Sequence, residues 1–304
     1  MNCVPCLARI SCGKTVLNTN DGGPDRLVVG ITGADGFVGS ELARRFRRDG
    51  HVVVAFSRRG DPSAGSRSFA LEGDGPIDLD ALDAVIHCAY DRTPSTVGFE
   101  RNVNGTMRLH SASAAAKCVF VFVSSLSALE NAASTYGRQK YRLEQLLAGR
   151  AVILRPGLVA ANGGLIAGLL ASIRRGIVPL IDGGRQIVQL VAPEDLYCAA
   201  RWAIAERRAA RYTLASEPPT TVGDLVRSLA QAIRRKPLVL DVPFTVAYAI
   251  ASIAEFLRIP LPLKRENLRA LRVSTYQAPD LIPNWSYATT AQALGTIPTS
   301  EHAR

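Results

Sequence analysis

Short apolar runs alternate with longer stretches of helical period through the first half of the chain. After Arg26, the run Leu27-Val28-Val29-Gly30-Ile31-Thr32 is apolar almost throughout, as suits a strand buried on both faces. From Phe37 to Asp49 the apolar positions recur at helical spacing, and Gly50 stops the pattern. His51 to Ser57, Ala84 to Cys88, Val119 to Val123 and Ala151 to Leu154 read as further buried strands, rich in β-branched and aromatic residues. Helical stretches separate them at Val97 to Ala116 and Tyr136 to Ala148. Strands alternating with helices predict parallel βαβ units with right-handed crossovers, hence an α/β fold built on a doubly wound parallel sheet.

After Pro156 the alternation loses regularity. A short strand is expected over Ile187 to Val191, and helices over Val222 to Arg234 and Pro243 to Arg258. The chain therefore divides into residues 1–25, a loose extension that adds nothing to the core, residues 26–157, and a smaller C-terminal lobe over 158–304 interleaved with the last elements of the sheet. There is no internal repeat or low-complexity tract.

Composition narrows the function. A length of 304 residues, 47% hydrophobic and 20% charged, suits a packed globular enzyme and argues against disorder. The net charge of +10 invites a nucleic-acid reading. The arginines are scattered, however: Arg44, Arg45, Arg47 and Arg48 share one helix, and Arg207, Arg208 and Arg211 cluster near the end of another. No RNP-type aromatic motif or zinc-finger spacing accompanies them, so no nucleic-acid partner is expected. An anionic cofactor or substrate is steered by the same sign of field. Six cysteines fall at 3, 6, 12, 88, 118 and 198. Cys3, Cys6 and Cys12 lack the fourth ligand of a structural zinc site, and Cys88 and Cys118 lie in apolar runs. His51, His87, His110 and His302 do not cluster with carboxylates, so no metal is expected. Nothing resembles an exported disulfide scaffold, a signal peptide or a membrane span, which points to the cytoplasm. Phe244 to Phe256 is short and carries Glu255; it reads as a helix at a domain or subunit face, with membrane-surface binding as the alternative.

The chemistry begins at Thr32-Gly33-Ala34-Asp35-Gly36-Phe37-Val38-Gly39. Glycines at i, i+3 and i+6 between a buried strand and a helix allow a tight turn, close approach to a pyrophosphate, and close helix packing. The following helix offers its unpaired N–H groups to the anion. This is the pattern of a Rossmann-type dinucleotide site, with Gly33, Gly36, Phe37, Val38 and Gly39 at the phosphates. The second strand ends in Ser57-Arg58-Arg59 with no acidic residue to bond ribose hydroxyls. Arg58 and Arg59 suit a 2′-phosphate, so NADP is expected over NAD, which stays open. Asp74, in Gly73-Asp74, is placed to meet the adenine.

Tyr136-Gly-Arg-Gln-Lys140 sets a phenol and an ammonium on one helix face. A fixed cation brings a phenol, whose ordinary pKa is about 10, toward the working range of a proton shuttle. Ser124-Ser125 ends the preceding strand, and Arg155-Pro156-Gly157 ends the next. With TGADGFVG at 32–39, VIHCAY at 85–90, NVNGT at 102–106, VFVSSLSAL at 121–129, YGRQK at 136–140 and VILRPG at 152–157, the chain resembles the extended short-chain dehydrogenase/reductase superfamily. Within it, the likeness is to the NAD(P)-dependent nucleotide-sugar epimerase/dehydratase family. The resemblance runs from about Arg26 to the C-terminus. It implies that Ser125 polarises the substrate carbonyl, Tyr136 is the acid/base and Lys140 lowers its pKa. It also implies that Cys88, Ala89, Asn102 and Pro156 line the nicotinamide side.

Departures refine this. Tyr90 replaces the alanine usual at the end of the HxAA pattern, and Ala128-Leu129-Glu130 replaces VYG. Ser125 and Tyr136 are unusually close in sequence, and Ala192-Pro193-Glu194-Asp195 stands for the common VDD helix start. The Thr-Asp-Glu trio of 4,6-dehydratases is absent, which discounts that branch. The resemblance, with PLPLKRENLRAL at 260–271, implies an epimerase or reductase acting at carbon 4 of a nucleotide sugar in polysaccharide building. Arg185 would be available to the diphosphate, and a homodimer would form through the helices at 97–116 and 136–148. Two alternatives remain open: an NADPH-dependent reductase of a non-sugar ketone or aldehyde, and a non-catalytic dinucleotide-binding sensor.

Overall fold

The computed structural model describes residues 26–297, apart from 62, 64, 94, 257–267, 270–274 and 284. The N-terminal extension with Cys3, Cys6 and Cys12, most of segment 260–271, and His302 lie outside the described residues. The first half alternates β1 (Val28–Thr32), α1 (Phe37–Arg48), β2 (Val52–Ser57), β3 (Ser66–Ser68), β4 (Ala84–His87), α2 (Thr96–Ala115), β5 (Val119–Val123), α3 (Thr135–Leu147) and β6 (Val152–Pro156). The second half runs β7 (Leu158–Val159), α4 (Gly164–Arg175), β8 (Ile177–Ile181), β9 (Ile187–Val188), β10 (Leu190–Val191), α5 (Pro193–Glu206), β11 (Arg211–Leu214), β12 (Thr220–Thr221), α6 (Val222–Ala232), β13 (Leu238–Val242), α7 (Phe244–Phe256) and α8 (Thr290–Gly295).

Seven strands form one parallel sheet in the order β11-β6-β5-β4-β1-β2-β3. The fold is the expected Rossmann-type α/β sheet. Side chains alternate across it with the period of two that a pleated strand imposes. Val29, Ile31, Ala84, Ile86, Val121, Val123, Val152 and Leu154 pack with Leu42 and Phe46 of α1 and Leu196 and Tyr197 of α5. Val85, Phe120, Phe122 and Ile153 pack with Leu109 of α2 and Leu143 and Leu147 of α3. Both faces are thus covered by helices, which explains why the strands read as continuous apolar runs. Serine caps start the helices on the second face: Ser95 accepts from Gly98 N, and Ser134 from Gly137 N.

Chain progress reverses between β1 and β4, so a crevice opens beyond their C-terminal ends, where open α/β sheets hold ligands. The lobe has its own core, in which Ile166 and Leu170 of α4, Val178 and Leu180 of β8, and Leu225 and Leu229 of α6 meet. From it the chain returns to the sheet: α5 covers β5 and β6, and β11 pairs with β6. The single strand expected over 187–191 is two strands. β9 pairs antiparallel with β12 and β10 pairs parallel with β7, and Gln189 between them bonds its side chain to the Gln277 backbone.

Candidate active site

The glycine loop closes the C-terminal end of β1. Gly33 sits at φ +65, and a Cβ there would stand 2.9 Å from Ala89 N, against the end of β4. Gly36 N donates to Gly33 O at 2.9 Å, which tightens the turn. A Cβ on Gly39 would come within 2.2 Å of Gly33 O, so the third glycine lets α1 start directly on the loop. The α1 N-terminus has no side-chain cap and no acid in its first turn. A bare loop ahead of uncapped N–H groups fits a dinucleotide pyrophosphate. Phe37 packs against the start of α4, where a Cβ on Gly163 would collide with its ring at 2.1 Å.

A buried polar relay fixes the crevice floor. Thr32 Oγ1 lies 2.6 Å from His87 Nδ1 and accepts from Ala89 N at 3.2 Å, while His87 Nε2 lies 3.0 Å from Thr106 Oγ1 on α2. Burial, helped by the Lys140 cation, holds the His87 pKa at about 3, so the ring is neutral and structural.

Ser125, Tyr136 and Lys140 come together beyond β5. Ser127 N donates to Ser125 Oγ at 3.1 Å, and the Ser125 hydroxyl lies beside the Tyr136 phenol, where it favours the ionised form. Gly137 permits this approach, since a Cβ there would stand 2.3 Å from Ser127 O. Tyr90 packs edge-on against Tyr136, ring centres 5.2 Å apart, and donates to Gln139 Oε1. The Lys140 ammonium is buried in an aromatic cage, 4.5 Å from the Phe122 ring centre, 4.8 Å from Tyr90 and 6.0 Å from Tyr136. Its Nζ donates to Val123 O at 2.8 Å.

Burial lowers the Lys140 pKa to about 8, with Arg92 acting in the same sense and Glu144 against it. Packing around the phenol raises Tyr136 above its usual 10, a shift tempered by the 37% of the residue that stays open to solvent and opposed by the Arg92 cation and the Ser125 hydroxyl. In this geometry the groups that favour phenolate are thus Arg92 and Ser125, while Lys140 is engaged with the Val123 carbonyl. Tyr136 is accordingly a protonated acid, ready to donate.

The remaining expected residues are distributed around this centre. Cys88 and Ala89 follow β4 into the crevice, and burial pushes the Cys88 thiol up to about 12, leaving it unreactive. Pro156 ends β6, and its carbonyl accepts from Leu126 N at 3.1 Å. Arg58 and Arg59 are exposed just past β2, whose Phe56 pairs with Thr32. Asp74 is exposed in the loop before β4, and Arg185 is exposed beside Gly183. Asn102 is buried and spends its amide on Asp91, accepting from its N at 2.8 Å and donating to its O at 2.9 Å. It therefore anchors the loop carrying Tyr90 and Arg92.

Sequence reasoning missed Arg92, Glu144 and Gln277. Glu144 is buried and clamped by Arg155, whose Nε donates to its two oxygens at 2.8 and 2.9 Å. Its place four residues after Lys140, on the same helix face, was the available signal. Gln277, distant in sequence, gave none. Among the described residues no group of three His, Cys, Asp or Glu could hold a metal, and no helix is long and apolar enough to cross a membrane.

The profile of the NAD dependent epimerase/dehydratase family matches residues 29–214, from β1 to the end of β11. The chain belongs to that family. It is thus an NAD(P)-dependent enzyme of the extended short-chain dehydrogenase/reductase type. Among solved members it is similar to MoeE5 in complex with UDP-glucose and NAD, at 26% identity and a TM-score of 0.60, covering 71% of this chain and 85% of that one. The UDP-glucose 4-epimerase of Thermus thermophilus in complex with NAD shares the fold at 18% identity, with a TM-score of 0.58 and coverage of 82% and 100%. A curated relative, the ceramide reductase of Caulobacter vibrioides, is 34% identical over 152 residues, 45% of this chain. The match spans about half (48%) of that relative's length.

Proposed function

We propose that this family member is an NADPH-dependent oxidoreductase that interconverts a secondary alcohol and a ketone at carbon 4 of a nucleotide sugar. The bound nicotinamide would supply the hydride. Gly33, Gly36 and Gly39 would hold the pyrophosphate, with Arg58 and Arg59 on the 2′-phosphate and Asp74 near the adenine. Ser125 orients the substrate oxygen and Tyr136 gives it a proton in the reducing direction, the phenolate then taking a proton back from solvent; Lys140, buried beside the phenol, would hold the cofactor ribose. The observation carrying the chemistry is the Ser125 hydroxyl beside the Tyr136 phenol, with the buried Lys140 ammonium 6.0 Å from the Tyr136 ring. The pair of arginines after β2, with no acid beside them, carries the cofactor preference.

The nucleotide-sugar assignment is supported by similarity to MoeE5 over most of both chains. A second reading keeps the residues and changes the substrate to a non-sugar ketone; the 34% identity to a ceramide reductase favours it. The test offers NADPH or NADH with a UDP-4-keto-6-deoxyhexose and, separately, a long-chain 3-keto lipid. Oxidation of NADPH by the keto-sugar supports the first reading, and by the lipid alone the second. Tyr136→Phe should abolish either. Unchanged turnover in that variant would falsify the chemistry, and tighter binding of NADH than NADPH would remove the role given to Arg58 and Arg59.

A further inference from the structure

The loop that presents Ser125 is held from two directions. From within the sheet domain, Ser124 donates its hydroxyl to Glu144, and Arg155 Nη2 donates to Ala128 O at 2.8 Å. From beyond the lobe comes Gln277, whose Nε2 donates to Leu126 O at 2.7 Å across 151 residues of sequence. Gln277 is itself fixed at both backbone ends: its N donates to Gln189 Oε1 at 2.8 Å, and its O accepts from Gln189 Nε2 at 2.7 Å. Gln189 sits where β9 gives way to β10, and its own carbonyl accepts from Leu158 N at 2.8 Å.

The atom that Gln277 grips matters. Leu126 O and Ser127 N belong to one peptide unit, which is planar and turns as a single piece. Its carbonyl end is bound to Gln277, and its N–H end donates to Ser125 Oγ at 3.1 Å. With that N–H donated to it, Ser125 Oγ keeps its own proton free to donate, and a donor there favours the Tyr136 phenolate. Should the peptide rotate, the serine oxygen would lose that fixed donor and its rotamer would be set by solvent.

We propose that Gln277 is a positioning residue for the reaction, acting through the 126–127 peptide to aim the Ser125 hydroxyl. The segment after the lobe thereby completes the catalytic serine, although it supplies no group that touches the substrate. This rests on the role given above to Ser125 and Tyr136.

The experiment compares the full chain with Gln277→Ala, Ser125→Ala and the double variant. Ultraviolet difference titration against Tyr136→Phe reads the phenol without any substrate. Ser125→Ala should raise the Tyr136 midpoint by roughly 0.5–1, one lost hydrogen bond, and Gln277→Ala should reproduce much of that rise. In the double variant Gln277→Ala should add nothing, because the group it acts through is gone. Reduction of a UDP-4-keto-6-deoxyhexose or 3-keto lipid, whichever turns over, should follow: kcat about tenfold lower in Gln277→Ala, KM for NADPH within twofold, and no further loss on a Ser125→Ala background. Gln277 Oε1 also accepts from Arg155 Nη1 at 3.5 Å, so the control is the uncharged Gln277→Met, which keeps the length, loses the donor and should match Gln277→Ala even where the smaller side chain loosens the fold. A Gln277→Ala midpoint at the wild-type value while Ser125→Ala shifts it, or an equal loss of kcat on both backgrounds, overturns the positioning role alone. A Ser125→Ala protein with wild-type midpoint and turnover overturns the reading of the site, and this inference with it.

Discussion

Replacing Lys140 by methionine should inactivate the enzyme and make it more stable. The ammonium is 3% exposed in a cage of Phe122, Tyr90 and Tyr136, and burial brings its pKa from 10.5 to about 8. Below pH 8 both the folded and the unfolded chain carry the proton, and the folded state bears a charge-burial cost of roughly 3 kcal/mol. Methionine fills a similar volume, accepts aromatic neighbours and carries no charge. Against that gain stands the loss of the 2.8 Å bond from Nζ, which leaves Val123 O unpaired at about 1–2 kcal/mol. The net expectation is a gain of about 1–2 kcal/mol at pH 7, or a few degrees in the unfolding midpoint. Between pH 8 and 10.5 the folded lysine is neutral while the unfolded one still binds a proton, so raising the pH favours the folded state. The penalty is constant below pH 8 and fades as pH rises to 10.5. The advantage of methionine shrinks over the same window. Calorimetry of both proteins at pH 7, 9 and 10.5 measures this. A variant destabilised at pH 7, or an advantage that does not change with pH, would refute the reasoning that burial sets the charge state of Lys140.

Two further perturbations test the framework. Gly39→Ala puts a methyl 2.2 Å from Gly33 O, a collision with backbone that only a shift of the phosphate loop relieves; denaturant unfolding should show a loss of about 1–3 kcal/mol, and NADPH fluorescence titration at least a tenfold weaker Kd. Glu144→Gln should cost about 3–5 kcal/mol by leaving Arg155 buried without its partner, whereas Glu144→Leu with Arg155→Met should recover most of that stability in urea melts.

The strands β1, β2, β4, β5 and β6 were legible because helices on both faces demand unbroken apolar runs, and α1, α2 and α3 because each has a buried stripe. The lobe was not, for reasons of local chemistry. Gly163 and Gly164 blur the start of α4, Gly164 itself taking φ +53, so its apolar stripe at Ile166, Leu170 and Ile173 lacks a capping signal. β13 exposes Leu238, Val239 and Leu240 together, which erases the alternation of a half-buried strand. β3, Ser66–Ser68, is a polar edge strand without any apolar pattern. At the site, Tyr136 and Lys140 were legible from spacing within one helix. Tyr90 was visible only as a departure from a pattern, and its ring forms one wall of the lysine cage. Gln277 acts through a contact that no local window contains.

The path of the chain through the lobe has a bearing on how the enzyme can change. The polypeptide leaves the sheet at Pro156 and re-enters it at Arg211, laying β11 directly beside β6. The intervening stretch, β7 to β10, is therefore an excursion between two neighbouring strands that closes with α5 back on the sheet, and α6 joins it after β11. Insertions or exchanges within it can reshape what is bound while the cradle for the dinucleotide stays put. Removing it together with everything that follows would instead strip β6 of a neighbour and Val121, Val123, Val152 and Leu154 of the helix that covers them.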